Sequence, residues 1–375
     1  MEIPFRTGEI VCAPHFTGRR AEVTRIRQAM WSRKRLLVTG ERQEGKRSAV
    51  REAFLPLEGR GALFLGVDLW TAEGPLDILR RLVARVSPQW PRSSRLQKML
   101  TAAGLRPRVV DSEGDSHLTL TVRGVALRPG EASRHLRDVV LFLDEMAATH
   151  PSPTVLALYR VHRPVPGFTE DAGSTDDSSL LGELVAKTRH LSWIFTASPA
   201  PDRDPVLPRE LAERVHLDPL PREEMAAWIR ARLRDHGLEV DASVVRTLVD
   251  RAGPRTGHRV RLARAAYLRG LSRGRVDDTL VRDAFADLVR ESAPAHELLW
   301  EGLPPYQRAV FRAVAAGVEQ LHSRHASLEY DLPVSSAITK AVQILREKGH
   351  LSLAGPATPS DPFFGEWIRT HVLTP

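Results

Sequence analysis

Apolar residues along this chain fall into short continuous runs, separated by stretches in which they recur every three or four positions. Leu36–Val38, Ala62–Val67, Asp138–Leu143, Leu191–Ala197 and Arg214–Leu217 form the runs. Continuous runs of this length predict strands buried on both faces, as in a parallel sheet. Between them, Ser48–Leu55 and Pro75–Val86 carry the helical spacing. Strands alternating with helices predict an α/β architecture. His117-Leu-Thr-Leu-Thr-Val122 alternates with a period of two, which predicts a half-exposed strand. Leu118–Leu127 is therefore expected as an antiparallel edge hairpin attached to the main sheet. In the last third, Pro304–Ala316, a short middle helix and Ser335–Gly349 predict three helices. Ser335 or Ser336 serves as N-cap and Gly349 as stop. His350–Leu353 follows as a short strand.

The segment Gly40-Glu-Arg-Gln-Glu-Gly45-Lys46-Arg47-Ser48 lies between the first strand and the first helix of the sheet region. Its glycines and lysine fit the phosphate-loop pattern G-x4-G-K-[ST], but Arg47 stands where the pattern has a hydroxyl. A strand, a glycine-rich turn and a helix start aim several backbone N–H groups at one point, which defines an anion site. Lys46 adds a point charge for the outer phosphates. Strands of an open α/β sheet deliver ligand groups at their carboxyl ends. On the strand reading of Asp138–Leu143, Asp144 would hold Mg²⁺ and Glu145 would polarise an attacking water. Ser198, after the strand Leu191–Ala197, stands where a γ-phosphate sensor would. Pro151–Ser178 is rich in Pro, Gly, Ser and Asp, which predicts a mobile loop over the nucleotide side of the sheet.

In this order, Phe16-Thr-Gly18-Arg19-Arg20-x-Glu22, the phosphate loop, the acidic strand end and the sensor strand resemble the archaeal-type P-loop ATPases of the STAND and AAA+ branches. Leu217–Trp228 resembles the start of their helical lid, and Gly253-Pro-Arg-Thr-Gly257-His258 resembles a turn within it. Trp300–Arg308 and Asp361–Arg369 resemble the two ends of their winged-helix domain. The resemblance implies a P-loop NTPase parallel-sheet core over residues 1–218, a helical lid over 219–291 and a C-terminal winged helix over 292–375. It implies ATP and Mg²⁺ as cofactors, Gly18 and Arg19 beside the adenine, and His258 approaching the phosphates from the lid. Gly40, Gly45, Lys46, Arg47 and Ser48 would surround the phosphates, Asp144 would hold the metal, Glu145 the reacting water, and Ser198 would sense the γ-phosphate. The expected function is an ATP-driven switch, with hydrolysis slowed because Arg47 replaces the Mg²⁺-ligand hydroxyl. The alternative is a non-catalytic DNA-binding regulator with a structural nucleotide site.

Composition narrows the setting. A hydrophobic content of 42% in short runs predicts a soluble protein without a membrane span. The first residues lack the basic and apolar regions of a signal peptide, and the single cysteine, Cys12, excludes an internal disulfide and fits a reducing cytoplasm. The net charge of +8 comes with 48 arginines and 6 lysines. Arg251 to Arg275 contains eight arginines and no carboxylate. Such a strip offers phosphodiester contacts, or else the solvated face of an amphipathic lid helix. The third helix of the C-terminal module presents Ser336, Thr339, Lys340, Gln343 and Glu347, a nearly neutral face suited to a protein partner as well as to DNA.

Overall fold

A computed structural model of the chain describes residues 3–86, 94–102, 105–112, 115–122, 129–162, 165–169, 179–198, 212–353 and 355–373. Helix α1 (Arg20–Trp31) leads into β1 (Arg35–Thr39), the phosphate loop and α2 (Lys46–Glu58). Then come β2 (Leu63–Asp68), α3 (Pro75–Val86), α4 (Ser94–Ala102), β3 (Leu105–Ser112), β4 (Asp115–Val122) and α5 (Pro129–Thr149). The core closes with β5 (Thr154–Tyr159), α6 (Leu180–Lys187), β6 (Leu191–Ala197) and β7 (Glu213–His216).

Five of these strands form one sheet in the order β2-β5-β6-β1-β7, with every pairing parallel. The strands β5 and β6 are buried along their whole length, as continuous apolar runs between helical layers require. Ile26, Met30, Val50 and Phe54 of α1 and α2 pack on one face. Leu79 and Leu82 of α3, Val140 and Leu143 of α5 and Leu184 of α6 pack on the other. The result is a three-layer α/β/α unit.

Two expectations are corrected here. The run Asp138–Leu143 belongs to α5, not to a strand. Its buried residues continue a helical series through Ala132, Leu136, Val139, Val140, Leu143 and Ala147. The strand in that sheet position is instead Thr154–Tyr159, inside the segment expected to be a loop; residues 163–164 and 170–178 of that segment lie outside the described residues. The hairpin exists as the antiparallel pair β3–β4, but it forms its own two-stranded sheet and does not extend the main one. Residues 123–127 of the expected hairpin lie outside the described residues.

Beyond the sheet come α7 (Arg222–Asp235), β8 (Glu239–Val240), α8 (Ala242–Arg251), α9 (Thr256–Gly270), β9 (Arg275–Val276) and α10 (Asp278–Glu301). The chain closes with α11 (Pro305–Ala315), α12 (Arg324–Tyr330), α13 (Ser335–Glu347) and α14 (Pro362–His371). A single antiparallel bridge, Leu351 to Pro359, stands where the short strand after α13 was expected. Helix α10 runs without a break through the expected boundary at 291/292, and Pro294 lies inside it. Consistent with that continuity, the lid and C-terminal helices share one core, with Phe285 of α10 packed against Phe363 of α14 at 5.1 Å between ring centroids. Phe5, from the N-terminal segment, is buried in the same core against Trp228. Among the described residues, no helix is long and apolar enough to cross a membrane.

Candidate nucleotide-binding site

The phosphate loop is built as its sequence implies. Thr39 ends β1, and Gly40 takes φ 150°, where a Cβ would lie 2.7 Å from the Leu217 carbonyl oxygen. Gly45 caps α2 at φ 76°, a left-handed conformation that glycine adopts at little cost. Lys46 opens α2 and donates through Nζ to the carbonyls of Gly40 and Glu41, both at 2.6 Å. The ammonium therefore spans the loop at a helix N-terminus, the geometry of a phosphate cradle. Its pKa is pushed down to about 8, chiefly by burial; Glu44 opposes this, while Arg19, Arg255 and Arg42 add to it. A loop that buries an ammonium among guanidiniums favours an anion as its ligand.

The lid meets this loop directly, through residues other than the one expected. Arg255, the N-cap of α9, donates to Glu41 Oε2 through Nε at 3.1 Å and Nη2 at 2.8 Å. Thr256 donates its hydroxyl to Glu44 Oε2 at 2.7 Å, and the Gly257 amide donates to the Gln43 carbonyl at 3.0 Å. His258, expected at the phosphates, points the other way. It is buried at 2% exposure, edge-on to Phe363 and 4.0 Å from Asp361 of the C-terminal unit. His258 lies within the first turn of α9, whereas Arg255 is the extended N-cap residue before it, and it is the Arg255 side chain that reaches the loop.

Burial holds the His258 imidazole at about 4, against a partial upward pull from Asp361 and with Arg255 and Arg261 adding to the depression. Above about pH 6.5 the ring is neutral folded or unfolded, so it adds no pH dependence. Between 6.5 and 4 only the unfolded chain takes up the proton, and stability falls as pH falls, by on the order of 3 kcal/mol for this ring. Thermal melts at pH 7 and pH 4.5 should therefore differ less for His258→Phe than for the parent. An equal drop in both would contradict the assignment.

The remaining expected site residues divide. Ser198 follows β6 beside the end of β1, and its amide donates to His162 Nδ1 at 3.1 Å, so the sheet does bring it to the loop side. His162 is itself held at about 4, first by burial and then by Lys46, Arg42 and Arg160. Ser48 is buried, with Oγ accepting from the Val11 amide at 3.1 Å, and is committed to the N-terminal segment. Gly18 adopts φ 69° against Leu220 and Glu224. Arg19 donates to the Asp218 carbonyl at 2.7 Å and to Glu44 Oε2 at 2.8 Å, bracing the phosphate loop against the chain leading to the lid.

Asp144 and Glu145 are not brought to the loop. Asp144 accepts from the amides of Arg189, His190 and Leu191, at 3.0, 2.7 and 2.9 Å through Oδ1, and so caps the start of β6. The phosphate loop lies at the opposite end of the same parallel sheet, roughly 20 Å away for a strand of this length. Glu145 pairs with Arg95 on the exposed side of α5. At the carboxyl end of β5, where a carboxylate would face the loop, the chain has Tyr159 and Arg160. Arg160 sits at φ 65°, its amide donating to Thr196 Oγ1 at 3.1 Å.

Arg160 and Arg47 converge on Asp68 at the end of β2. Arg160 Nε and Nη2 lie 2.9 and 2.5 Å from the two carboxylate oxygens, and Arg47 Nη1 lies 3.0 Å from Oδ2. Burial works to raise the Asp68 pKa, but the hydrogen bond from Arg160, the Trp70 amide and the nearby guanidinium charges outweigh it and hold the carboxyl ionised. Arg160 also stacks over Trp70 at 4.8 Å and Arg47 over Tyr159 at 4.9 Å. The loop and lid thus fit a nucleotide's phosphates. The residues that would hold Mg²⁺ do not fit that ion: the position after Lys46 is an arginine, and Asp68, Glu41 and Glu44 each already carry an arginine partner. Among the described residues, no three His, Cys, Asp or Glu side chains cluster to hold a metal.

Seven of the eight arginines of 251–275 have internal side-chain partners, Arg255 through the loop contact described above. Arg259 donates to the carbonyls of Gly253 and Leu220, Arg261 to Ser292 Oγ, Arg264 to the Phe5 carbonyl, and Arg269 pairs with Asp287. Arg251 lies over Phe285, and Arg275 sits 3.8 Å from Asp277. These partners account for much of the strip without a nucleic acid.

No protein-family model matches the chain, and no curated protein matches it in sequence. Solved structures do. A Walker-type ATPase of Pyrococcus abyssi superposes with a TM-score of 0.63 at 17% identity, over 98% of this chain and 99% of that one. Cdc6p of Pyrobaculum aerophilum (TM-score 0.48, 13% identity, 98% and 97% covered) and the RuvB branch-migration motor of Thermotoga maritima (0.42, 10%, 91% and 91%) are more remote, and no argument rests on them. The chain therefore has the α/β fold of P-loop ATPases over nearly its full length.

Proposed function

We propose that this protein is an ATP-binding P-loop switch in which nucleotide occupancy is read by the lid and turnover is slow or absent. The observation that carries the reading is the interlock of Arg255, Thr256 and Gly257 with Glu41, Glu44 and Gln43 of the phosphate loop itself. Any anion bound in the loop acts on the residues the lid holds. The lid in turn shares its core with the C-terminal unit of α11–α14, four helices that we read as a winged-helix domain. Loop, lid and C-terminal unit form one mechanical chain, and a ligand that binds one loop conformation better shifts the whole. Slow turnover follows from the site's charge: Arg47 and Arg160 stand where a hydroxyl and a carboxylate would bind metal. No specific observation favours DNA binding, since the arginine strip is engaged internally.

Hydrogen exchange of the full chain with and without ATP tests the coupling. ATP should alter protection at the start of α9 as well as in residues 40–48, with phosphate release near the blank rate. A change confined to residues 40–48, or rapid phosphate release, would overturn the switch.

Gly257 offers a sharper probe of the interlock. Its Cβ, if present, would meet Gln43 Cβ at 2.7 Å and Oε1 at 3.0 Å, although the residue sits in a regular helix that alanine favours. Gly257→Ala should therefore wedge lid from loop at a cost of about 1–3 kcal/mol, as overpacking does. It should also uncouple α9 from ATP in the exchange experiment. Unchanged stability and coupling would mean that the contact is not held.

A further inference from the structure

Beside the phosphate loop, cations outnumber carboxylates. Lys46, Arg47 and Arg160 lie there, and Arg42, like Arg160, stacks on Trp70, at 5.7 Å from the ring centroid. Against these four stands Asp68, held by two of them. Glu41 and Glu44 are taken by Arg255 and Arg19. Tyr159, at the end of β5, has its hydroxyl pushed up to about 12, chiefly by burial, and so stays protonated and neutral.

Mg²⁺ requires an octahedron of oxygens and in nucleotide sites relies on one or two carboxylates. Here each candidate carboxylate is hydrogen-bonded to guanidinium, and the surrounding charge repels a second cation. The same charge attracts a free nucleoside triphosphate more strongly than its magnesium complex, because the free form carries more negative charge. Guanidinium groups are also suited by shape to bind phosphate oxygens in pairs. Neither arginine is loosely placed. Arg160 is set by the β5–β6 register and by its amide on Thr196, and Arg47 by its place at the start of α2 and its contact with the Tyr159 ring.

We propose that the site takes a nucleoside triphosphate as the metal-free anion, with the guanidiniums of Arg47 and Arg160 supplying the counter-charge that a divalent cation gives in an ATPase. Asp68 acts as a positioning residue, holding the two guanidiniums side by side at the carboxyl end of β2. This rests on the reading of the loop as an ATP site, and the two can fail separately.

The test is calorimetric titration of the full chain with ATP, once in excess EDTA and once in excess magnesium chloride. Affinity in EDTA should equal or exceed that in magnesium. In R47T/R160D, which clears the guanidiniums and leaves carboxylates at the ends of two neighbouring strands, binding in EDTA should fall by about a hundredfold or more, the loss of two charge-assisted hydrogen bonds. Magnesium should then restore part of it. Binding by the parent that appears only with magnesium would overturn the metal-free proposal and leave the ATP reading standing. No binding in either buffer would overturn both. Should the double variant fail to melt cooperatively, R47T alone, at a half-buried position in the first turn of α2, is expected to weaken binding in EDTA more than in magnesium; equal weakening would contradict the proposal.

Discussion

Replacing Arg19 with methionine is expected to destabilise the protein by about 3–5 kcal/mol, the cost of leaving a buried charge without its partner. The side chains of Arg19 and Glu44 are 2% and 0% exposed, and the bond between them is 2.8 Å. Burial pushes the Glu44 pKa up and the Arg19 pKa down; the Thr256 hydroxyl and the Arg19 charge pull Glu44 back toward its charged form, and Glu44 does the same for Arg19. Arginine does not lose its proton in proteins, so the guanidinium is a buried charge that relies on Glu44. Without the guanidinium, Glu44 keeps only its bonds from Thr256 in a dry site. It must then either stay charged at high cost or take up a proton. Adding Glu44→Gln to Arg19→Met should recover a large part of the loss, because removing both members of a buried pair costs far less than removing one. Chemical denaturation of the two variants checks this. Equal stability of parent and Arg19→Met would show that the pair does not support the loop.

Lys46→Ala is expected to weaken ATP binding by two orders of magnitude or more, the equivalent of about 3 kcal/mol for one or two charged hydrogen bonds. The fold should survive, because Lys46 contributes only bonds to two loop carbonyls. A pH signature accompanies this. The ammonium is held at about 8 by burial and by neighbouring cations. A bound phosphate favours the charged form and raises that pKa, so the complex holds more protons than the free protein above pH 8. Affinity should therefore change little from pH 6.5 to 7.5 and fall above about 8, by up to tenfold per unit in the limit of one proton. Lys46→Ala should lose this pH dependence along with the affinity.

Four of the five main-sheet strands, the glycine loop after β1 and helices α2 and α3 were legible as apolar runs and glycine spacing. The exchange of α5 for β5 was not. Asp138–Leu143 and Thr154–Tyr159 are both six-residue apolar runs, and periodicity within so short a window does not separate a buried helix from a buried strand. The former ends in Asp144-Glu145, the pair that a metal-binding strand would carry, so chemistry reinforced the wrong geometry. A wider window separates them. Ala132, Leu136, Val139, Leu143 and Ala147 continue the helical series on both sides of the first run, whereas Pro153 and the turn at Arg160 bound the second.

Once β5 is placed, Arg160 falls at the loop, and Arg47 ceases to be an isolated departure: both positions that would serve a metal are arginines. The partnership of both with Asp68 joins the start of α2 to the ends of β2 and β5 across residues 47, 68 and 160, and no local pattern announces it. The segment of the lid that meets the loop was legible, since it lies in the turn at 253–258, but the contact is made by Arg255, Thr256 and Gly257 while His258 packs on Phe363. The destinations of the arginine-rich strip depend on tertiary partners as distant as Phe5 and Ser292, which local sequence does not reveal.

The most direct measurement is a calorimetric titration of ATP into the full chain and into Lys46→Ala at pH 7, with phosphate release followed in the same samples. Saturable one-site binding by the parent, its loss in the variant and no phosphate release above the blank are the expected result. Absence of binding by the parent, or equal binding by both proteins, would contradict a phosphate site at this loop.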